Sequence, residues 1–430
     1  TMTPILRRIL KLLPKSLREA LLSPYHLLLA YMGAAWYGFP SKKLVVIGVT
    51  GTKGKSTTAE FIRAILAESG KKTAIVGTIR FAIGEEEERN LFKMTMPGRF
   101  FLQQFLAKAV KKGATHAIVE MTSEGAKQFR HKGISLNALV FTNLSPEHIE
   151  SHGSMEKYAQ AKLSLGQHLA DSSKRPRIMV ANAEDTYSER FLSFDAEIKK
   201  SFTLQDVVVE RASPLGTEFT YKSSSFTLPL PGRFNVANAL AAIEVCGALG
   251  VSLQVAGAAL QKITRMPGRA ERIEIGQDFN VIIDYAHTPD SLKAIYEAFP
   301  MKRVCVLGNT GGGRDIWKRP VMGEIADTYC DVAILTNEDP YDEDPEKIVR
   351  EVASGFSTHT PKIVMDRREA ISCALKEAQR LRKESAAEVA VLITGKGTDP
   401  YIMGSHQSKL PWSDAQVAEQ ELKQLLASTS

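Results

Sequence analysis

From Lys43 onwards, the chain alternates short apolar runs with longer amphipathic stretches. The run Leu44–Val49 predicts a buried strand, and the apolar spacing over Ser56–Ser69 predicts a helix. Further short β-branched runs, mostly separated by helical stretches, predict strands at residues 73–76, 117–119, 138–141 and 178–180. Alternation of this kind is typical of a mostly parallel sheet with helices on both faces. We therefore expect an α/β protein.

The pattern changes twice further along the chain. Residues 201–230 predict short antiparallel strands around a serine-rich turn, and two helices follow at 235–249 and 253–263. After Met266-Pro267-Gly268 the alternation restarts, with strands predicted at 281–283, 304–307, 332–335 and 389–393, and helices at 291–298, 346–353 and 367–383. Three parts are expected: a short helical N-terminal segment (1–43), a central domain with a parallel sheet (44–266) and a Rossmann-like α/β domain (267–430).

The N-terminal segment differs in character from the rest of the chain. Residues 6–13 are basic and apolar at helical spacing, and a second short helix is predicted over Leu17–Leu22, before Pro24. The apolar run Tyr25–Phe39 is shorter than the roughly 20 residues that a transmembrane helix needs. We favour packing of these helices on the folded domain. Peripheral membrane contact through residues 1–40 is the alternative, because tyrosine, tryptophan and basic flanks occur in both.

Composition bounds the class of protein. With 430 residues, 44% of them hydrophobic and 24% charged, the chain has room for two or three soluble domains. The formal charge of +7 suits acidic small molecules such as nucleotides and phosphosugars, as well as nucleic acid or an anionic membrane. No C-x-x-C pair occurs among Cys246, Cys305, Cys330 and Cys373, so neither a zinc site nor a disulfide is predicted. With no cleavable signal pattern, a reducing cytoplasmic location is expected.

The first predicted strand runs into a glycine-rich turn that precedes a helix. The turn and first helical residues are Gly51, Thr52, Lys53, Gly54, Lys55, Ser56 and Thr57. Glycines let backbone N–H groups approach phosphate oxygens, and the helix N-terminus adds a favourable dipole. Lys55 can reach the β- and γ-phosphates, and the Ser56 hydroxyl can ligate Mg²⁺. Val49 stands where the general phosphate loop has glycine, so a special type of ATP-binding loop is indicated.

The string Gly51–Ser56 resembles the phosphate loop of Mur ligases, and folylpolyglutamate synthases carry a close relative of it. Two further stretches are similar to signatures of the same family: Glu120-Met121-Thr122-Ser123, and the string that runs from Thr142-Asn143-Leu144 through His148 to Lys162. The resemblance implies that Glu120 binds the Mg²⁺ of the phosphate loop and that His148 binds a second Mg²⁺. It also implies that Lys162 carries a carbamate derived from CO₂.

Later motifs follow in the family's order up to about residue 415. The segment 230–238 resembles the family's G-x-[FH]-N-x-x-N, with Asn235 and Asn238 one helical turn apart and Asn238 implied to contact adenine. By resemblance, Arg269 binds ATP phosphates after domain closure. The same resemblance implies that Asp284 and His287, in a D-Y-A-H string, bind ATP, with Asp284 at the ribose hydroxyls. The glycine loop 308–313 and Arg314 also match a family segment.

The chain departs from the family in four places. Only about 43 residues precede the first strand, so the family's N-terminal UDP-binding domain is expected to be missing or replaced. Met96 interrupts the T-T-P segment, and Glu338-Asp339-Pro340-Tyr341 lacks the arginine that pairs with the distal carboxylate of meso-diaminopimelate. Asp399 replaces a glutamate. Since the arginine is missing, we predict an amino acid other than meso-diaminopimelate. The substrate contacts implied by resemblance are Thr95, Pro97, Ser123, Arg314, Asp339, Tyr341, Gly395 and Asp399.

Together these observations predict an ATP-dependent, ADP-forming ligase that joins a carboxylate to an amine through an acyl phosphate. The expected partners are ATP, Mg²⁺ (two ions), an amino acid and a muramoyl-peptide-like acceptor, without nucleic acid. Two alternatives stay open. One is a ligase like folylpolyglutamate synthase, which the strings around 143–152 and 284–287 favour less. The other is a non-catalytic nucleotide-binding subunit of a larger complex.

Overall fold

The computed structural model describes residues 15–147, 149–313, 315–385 and 387–428. His148, Arg314 and the basic stretch at residues 6–13 therefore lie outside the described part. The chain divides into two compact units, unit 1 (residues 1–144, 156–202 and 244–251) and unit 2 (residues 145–155, 203–243 and 252–430). The domain boundaries at 43/44 and 266/267 stay a prediction.

The helices are numbered along the whole chain. They are α1 (Lys15–Trp36), α2 (Lys55–Glu68), α3 (Arg99–Lys111), α4 (Ser123–Lys127), α5 (Ile149–His152), α6 (Met155–Ala170), α7 (Ser188–Leu192), α8 (Arg233–Ala248), α9 (Leu253–Gln261), α10 (Pro289–Glu297), α11 (Lys318–Tyr329), α12 (Pro345–Ala353), α13 (Arg367–Glu384) and α14 (Asp414–Ala427). Short 3₁₀ turns lie at Pro40–Lys43, Leu204–Asp206 and Ser405–Gln407.

Unit 1 is built on an 8-stranded sheet in the order β4-β3-β2-β5-β1-β6-β7-β8. Its strands are β1 (Val45–Thr50), β2 (Thr73–Val76), β3 (Arg80–Ile83), β4 (Glu86–Arg89), β5 (His116–Glu120), β6 (Ala138–Phe141), β7 (Ile178–Asn182) and β8 (Ile198–Phe202). The six strands from β2 to β8 in that order are parallel, and β3 pairs antiparallel with both β2 and β4. In register, Val49 pairs with Glu120 and Thr50 pairs with Phe141. The carboxyl ends of three central strands therefore meet at one edge.

Unit 2 contains a 6-stranded sheet in the order β12-β13-β17-β14-β15-β16. Strands β9, β10 and β11 form a three-stranded sheet, and β18 and β19 form a two-stranded one. The strands are β9 (Val207–Ser213), β10 (Gly216–Tyr221), β11 (Ser224–Leu228), β12 (Glu271–Arg272), β13 (Asn280–Ile283), β14 (Lys302–Leu307), β15 (Val332–Leu335), β16 (Lys362–Ile363), β17 (Val389–Ile393), β18 (Tyr401–Met403) and β19 (Lys409–Pro411). Alternate strand residues enter two cores. Ile283 packs with α13 and α14, while Ile282 packs with α10, α11 and α12. Helices on both faces confirm the predicted α/β class.

Two local sequence expectations are wrong. Helix α1 continues through Pro24 instead of breaking into two pieces, although a proline inside a helix removes a hydrogen bond. Burial of Ala30 and Ala34 against the chain at Gly133 stabilises α1 in compensation. The run of like charges Glu85–Glu88 predicts a solvated loop, but Glu86–Arg89 form the exposed edge strand β4, whose charges protect an open sheet edge.

The prediction of four reduced cysteines is also wrong, because Cys305 and Cys330 form a disulfide with a Cα–Cα distance of 6.1 Å. Cys305 lies in β14, and Cys330 lies between α11 and the neighbouring parallel strand β15. The crossover brings together two cysteines that are 25 residues apart in sequence, which their spacing does not reveal. Over the described residues, no helix has both the length and the apolar character to cross a membrane.

Candidate active site

The phosphate loop lies between β1 and α2 in unit 1. Gly51 has φ of +149°, and a Cβ there would lie 1.9 Å from Thr142 Oγ1, so only glycine fits. Gly54, with φ of +80°, caps the start of α2. The first turn of a helix leaves backbone N–H groups without partners inside the helix. The loop therefore has the backbone form of an anion site.

The residues after β6 hold this loop in shape. Thr52 N donates to Asn143 O at 2.8 Å, and Lys53 N donates to Asn143 Oδ1 at 2.9 Å. Thr142 Oγ1 donates to Lys53 O at 2.6 Å. The string that contains Thr142 and Asn143 resembles a family signature, but the sequence alone predicts neither of them as a site residue. Their role is to fix the loop's backbone, because they bond its N–H and C=O groups directly.

Two lysines converge on the loop. Lys55 Nζ donates to Gly51 O at 2.9 Å and to Thr52 O at 2.7 Å. Lys162 Nζ, on the buried face of α6, donates to the same Gly51 O at 2.6 Å and lies 4.8 Å from the centre of the Tyr158 ring. The Tyr158 hydroxyl is 2.9 Å from Thr52 Oγ1. Lys55 therefore places a positive charge at the loop, as a polyphosphate ligand requires, and Lys162 places its amine at the same carbonyl.

Glu120, at the end of β5, is buried beside the loop. Its Oε2 accepts a hydrogen bond from Ser56 Oγ at 2.9 Å, and its Oε1 accepts one from Thr78 N at 2.7 Å. A Cβ on Gly77 would lie 2.2 Å from Glu120 Oε1, so the carboxylate fits only because residue 77 is glycine. Thr78 Oγ1 is 2.9 Å from Thr95 Oγ1, which connects a predicted substrate residue to Glu120. Sequence reasoning missed Gly77 and Thr78 because nothing in their spacing marks them.

The residues present fit a magnesium ion in part. A hydroxyl and a carboxylate in contact are oxygen ligands of the kind that Mg²⁺ prefers, and Ser56 and Glu120 supply both. Across the ranges that the structure describes, no group of three or more His, Cys, Asp or Glu side chains forms a metal site. Oxygen atoms of a bound phosphate and waters would have to complete the coordination of an ion held there.

The remaining predicted residues of unit 1 are Thr57, Thr95, Pro97 and Ser123. Thr57 is buried in the first turn of α2. Pro97 and Ser123 are buried, and Thr95 is half-buried. Ser123 begins α4, which Thr122 caps by accepting a hydrogen bond from Gly125 N at 3.0 Å. Ser123 is therefore placed by a helix cap that the sequence motif contains.

In unit 2, Asp284 follows β13 as predicted. Its two carboxylate oxygens accept hydrogen bonds from Ala270 N and Ala286 N, each at 2.7 Å. Burial raises the pKa of Asp284, although the positive charge of Arg269 opposes the shift. The Arg269 guanidinium lies 4.5 Å from the centre of the Tyr285 ring, a cation–π contact that orients it.

His287 is held from both sides of its ring. Its Nδ1 lies 2.8 Å from Tyr285 O, and its Nε2 lies 2.8 Å from Glu147 Oε1. Since a ring nitrogen beside a carbonyl must donate, the Tyr285 contact fixes a proton on Nδ1. Lys318 Nζ donates to His287 O at 2.9 Å. Glu147 and Lys318 were not predicted as site residues.

Asn235 and Asn238 are both buried in the first turns of α8. Asn235 Nδ2 donates to Pro231 O at 2.8 Å, and Asn238 Nδ2 lies 3.5 Å from Asn235 Oδ1. Asn235 is therefore used locally, at the start of its own helix. The adenine contact implied for Asn238 stays a prediction.

Two predicted substrate carboxylates meet at a lysine that sequence reasoning did not single out. Lys396, which is completely buried, donates to Asp339 Oδ1 at 2.8 Å and lies 3.5 Å from Asp399 Oδ2. Gly395, beside it, lies against the carboxylate of Glu338. Tyr341 adopts φ of +54° two residues after Asp339, and its backbone N–H donates to Met403 O at 3.1 Å. These residues form one cluster at the carboxyl ends of β15 and β17.

Two domains of known protein families match this chain. Residues 49–246 match the Mur ligase middle domain, and residues 268–397 match the Mur ligase glutamate ligase domain. The chain is 36% identical over 413 residues to the UDP-N-acetylmuramoyl-L-alanyl-D-glutamate–2,6-diaminopimelate ligase of Geobacillus kaustophilus. That match covers 92% of this chain and 82% of the relative.

The chain belongs to the Mur ligase family.

A second relative of the same name, from Syntrophomonas wolfei, is 34% identical over 411 residues, covering 92% of this chain and 81% of the relative. Among solved structures, a ligase of that name is 29% identical, with a TM-score of 0.59 over 89% of this chain and 79% of the other. Folylpolyglutamate synthase from Mycobacterium tuberculosis has a TM-score of 0.71 at 18% identity, over 87% of this chain and 93% of the other, which shows a shared fold. Mur ligases are ATP-dependent, ADP-forming enzymes, as the sequence predicted.

Proposed function

We propose that this Mur ligase joins the amine of an amino acid to a carboxylate of a UDP-N-acetylmuramoyl-peptide acceptor, in the synthesis of peptidoglycan precursors. The observation that carries the proposal is the convergence of Lys55 and Lys162 on the carbonyl of Gly51, next to the Ser56–Glu120 pair. A triphosphate and a carboxylate repel each other. A site that brings them together needs cations at the phosphate loop.

The reaction has two steps. First, an oxygen of the acceptor carboxylate attacks the γ-phosphorus of ATP, the bond to ADP breaks, and an acyl phosphate forms. Second, the neutral amine attacks the acyl carbon, inorganic phosphate leaves with one former carboxylate oxygen, and the amine loses a proton. The loop's backbone N–H groups and Lys55 bind the phosphates and stabilise the charge that moves from γ- to β-phosphate oxygens.

Ser56 and Glu120 would hold a magnesium ion. The ion would neutralise phosphate charge when bound. His148, as ligand of a second ion, lies outside the described residues and stays a prediction. Lys162 is almost fully buried, which favours the neutral amine that reaction with CO₂ requires. A carbamate there would be an anionic group facing the cationic loop.

We also propose that the added amino acid is not meso-diaminopimelate, despite the names of the relatives. Tyr341 occupies the position of the family's arginine. Tyrosine lacks the guanidinium group that forms an ion pair with a distal carboxylate. Asp339 and Asp399 already share the buried Lys396, so that lysine is not available as a substitute. The predicted contacts of Thr95, Pro97, Ser123, Arg269 and Asp284 with substrates are part of this proposal.

A screen by mass spectrometry tests both proposals. Purified protein, ATP and Mg²⁺ are combined with UDP-linked, lipid-linked and folate-type acceptors and with a set of amino acids. Amide product and ADP with a muramoyl peptide support the ligase, and product with folate alone would indicate the folylpolyglutamate-synthase-like alternative. No ADP release with any acceptor and amino acid would contradict the ligase and favour the non-catalytic nucleotide-binding subunit. A product containing meso-diaminopimelate in preference to all others would refute the specificity proposal.

The location that we propose is the cytoplasm, where ATP and UDP-linked precursors are present. Peripheral contact with the inner face of a membrane is part of the same proposal. It fits the basic, apolar composition of residues 1–40.

A further inference from the structure

Helix α1 exposes an apolar face in unit 1. One side of the helix is buried, with Ala30 and Ala34 packed near Gly133. The opposite side carries large apolar side chains in solvent. Leu28 is 59% exposed, Met32 50% and Trp36 81%. Residues 28, 32 and 36 are four apart, so they form one stripe along the helix.

This face is continuous with other exposed apolar surface. Tyr31 and Phe100 are both exposed, and the backbone of Phe100 lies 3.6 Å from the position that a Cβ on Gly33 would take. No Asp, Glu, Lys or Arg occurs anywhere between Ser23 and Ser41. A helix face that holds several large apolar side chains in solvent and carries no charge of its own is unusual on a soluble protein and marks a contact site.

Basic residues flank the stripe. Residues 1–43 contain seven Lys and Arg side chains and one Glu, so this tenth of the chain has a net charge of +6 out of the chain's total of +7. Lys42 and Lys43, at the C-terminal end of the stripe, are exposed. A protein partner would need both an apolar groove and a matching acidic rim. An anionic bilayer offers negative headgroups above hydrocarbon over any area, and tyrosine and tryptophan prefer its interface.

We propose that the outer face of α1, formed by Leu28, Tyr31, Met32 and Trp36, docks on an anionic membrane surface, with Lys42 and Lys43 against the headgroups. The helix lies in the plane of the interface, since no helix in the described ranges suits a membrane span. The docking is independent of the ligase reaction.

The test uses the full chain and vesicles of phosphatidylglycerol with phosphatidylcholine, or of phosphatidylcholine alone. The unaltered protein should sediment with the anionic vesicles and be released by salt, and its Trp36 emission should move to shorter wavelength, as judged against Trp36→Phe. The variant Leu28→Ser/Met32→Ser/Trp36→Ser should bind at least about 100-fold more weakly, because each large apolar side chain fully buried contributes about tenfold. Lys42→Gln/Lys43→Gln should lose about fivefold for each lysine.

Matched controls are available elsewhere on the surface. Val208→Ser/Leu215→Ser removes side chains that are 64% and 61% exposed, and Lys199→Gln/Lys200→Gln removes two exposed lysines. Both should bind vesicles as the unaltered chain does. Equal binding by the stripe variant, or no binding by the unaltered chain, overturns the proposal.

The proposal would also be overturned if something other than a membrane covered this face of α1. Self-association without vesicles that the stripe variant abolishes would show a second copy of the chain on this face. Trp36 emission already at short wavelength in vesicle-free buffer would show that the chain's own residues cover it. Ligation of a soluble acceptor should be unchanged in the stripe variant. The experiment therefore distinguishes a failure of the membrane-docking proposal from a failure of the proposed ligase activity.

Discussion

Replacing Gly77 by alanine should inactivate the enzyme through Glu120. Gly77 has no left-handed φ, so alanine is compatible with its backbone, and the added Cβ acts only through contact. That Cβ would lie 2.2 Å from Glu120 Oε1. Moving the carboxylate to an ordinary distance of about 3.2 Å requires a shift of about 1 Å. Misplacement of a catalytic group by this amount lowers a rate by about 100-fold. The shift would also weaken the bonds to Ser56 and Thr78.

The measurement is ADP release in the presence of acceptor and amino acid, at saturating and at limiting ATP. Crowding of a packed site costs about 1–3 kcal/mol, so the fold should survive and thermal unfolding should confirm it. Gly247→Ala is the matched control, because a Cβ on Gly247 meets nothing within 4 Å. Its activity should equal that of the unaltered enzyme. A Gly77→Ala enzyme that keeps full activity would show that the position of Glu120 does not matter for the reaction.

Four further predictions follow from other parts of the structure. Lys55→Ala and Lys162→Ala should each abolish ligation with the fold intact by circular dichroism, and added short carboxylates should partly restore Lys162→Ala; full activity of Lys162→Ala would exclude a role for that amine. Tyr341→Arg should raise kcat/KM for meso-diaminopimelate by about 10-fold or more relative to the preferred amino acid, because the new guanidinium can form a charge-assisted pair with the distal carboxylate. An unchanged ratio of the two kcat/KM values in competition assays would count against the specificity proposal. Arg367 Nη2 and Asp414 Oδ2 form a buried ion pair at 2.7 Å. Arg367→Met alone should lower the free energy of unfolding in urea by about 3–5 kcal/mol, because it leaves a buried charge unpaired, and adding Asp414→Leu should recover much of that loss. A loss below about 1 kcal/mol in the single variant would contradict the prediction. Burial lowers the pKa of His168 from 6.5 to about 4, so the folded protein holds this histidine neutral. The free energy of unfolding should be highest above about pH 6.5 and fall by about 3 kcal/mol as the pH drops towards about 4. His168→Gln should reduce this acid sensitivity, and an identical pH profile of stability in the variant would contradict the prediction.

Local periodicity was sufficient to predict most of the sheet. The apolar run at 138–141 and strand β6 coincide, as do 73–76 and β2, because buried parallel strands are almost entirely apolar. Helix α1 was harder to predict. Pro24 signals a break, and tertiary packing at Ala30 and Ala34 outweighs that local preference. The Cys305–Cys330 disulfide depends on the crossover between β14 and β15, which no spacing rule contains.

The candidate site shows the same division. Gly51, Lys55 and Ser56 are consecutive in a motif, so the sequence places them together on its own. Glu120 and Lys162 join them only because β5 lies beside β1 and α6 packs against the loop, and resemblance to a family supplied that information. The supporting residues were missed. Gly77 and Thr78 act by fitting closely around Glu120, which is a property of packing distance and not of residue type.

The central claim is that a carboxylate is phosphorylated before nitrogen captures it, and an isotope experiment tests it most directly. The acceptor UDP-N-acetylmuramoyl-L-alanyl-D-glutamate, labelled with ¹⁸O in its carboxylates, is incubated with ATP, Mg²⁺ and the amino acid that the screen identifies. If an acyl phosphate forms, one labelled carboxylate oxygen leaves with each inorganic phosphate that is released. Mass spectrometry should therefore show one ¹⁸O atom per phosphate, in step with amide formation. Unlabelled phosphate accompanying amide product would contradict the account.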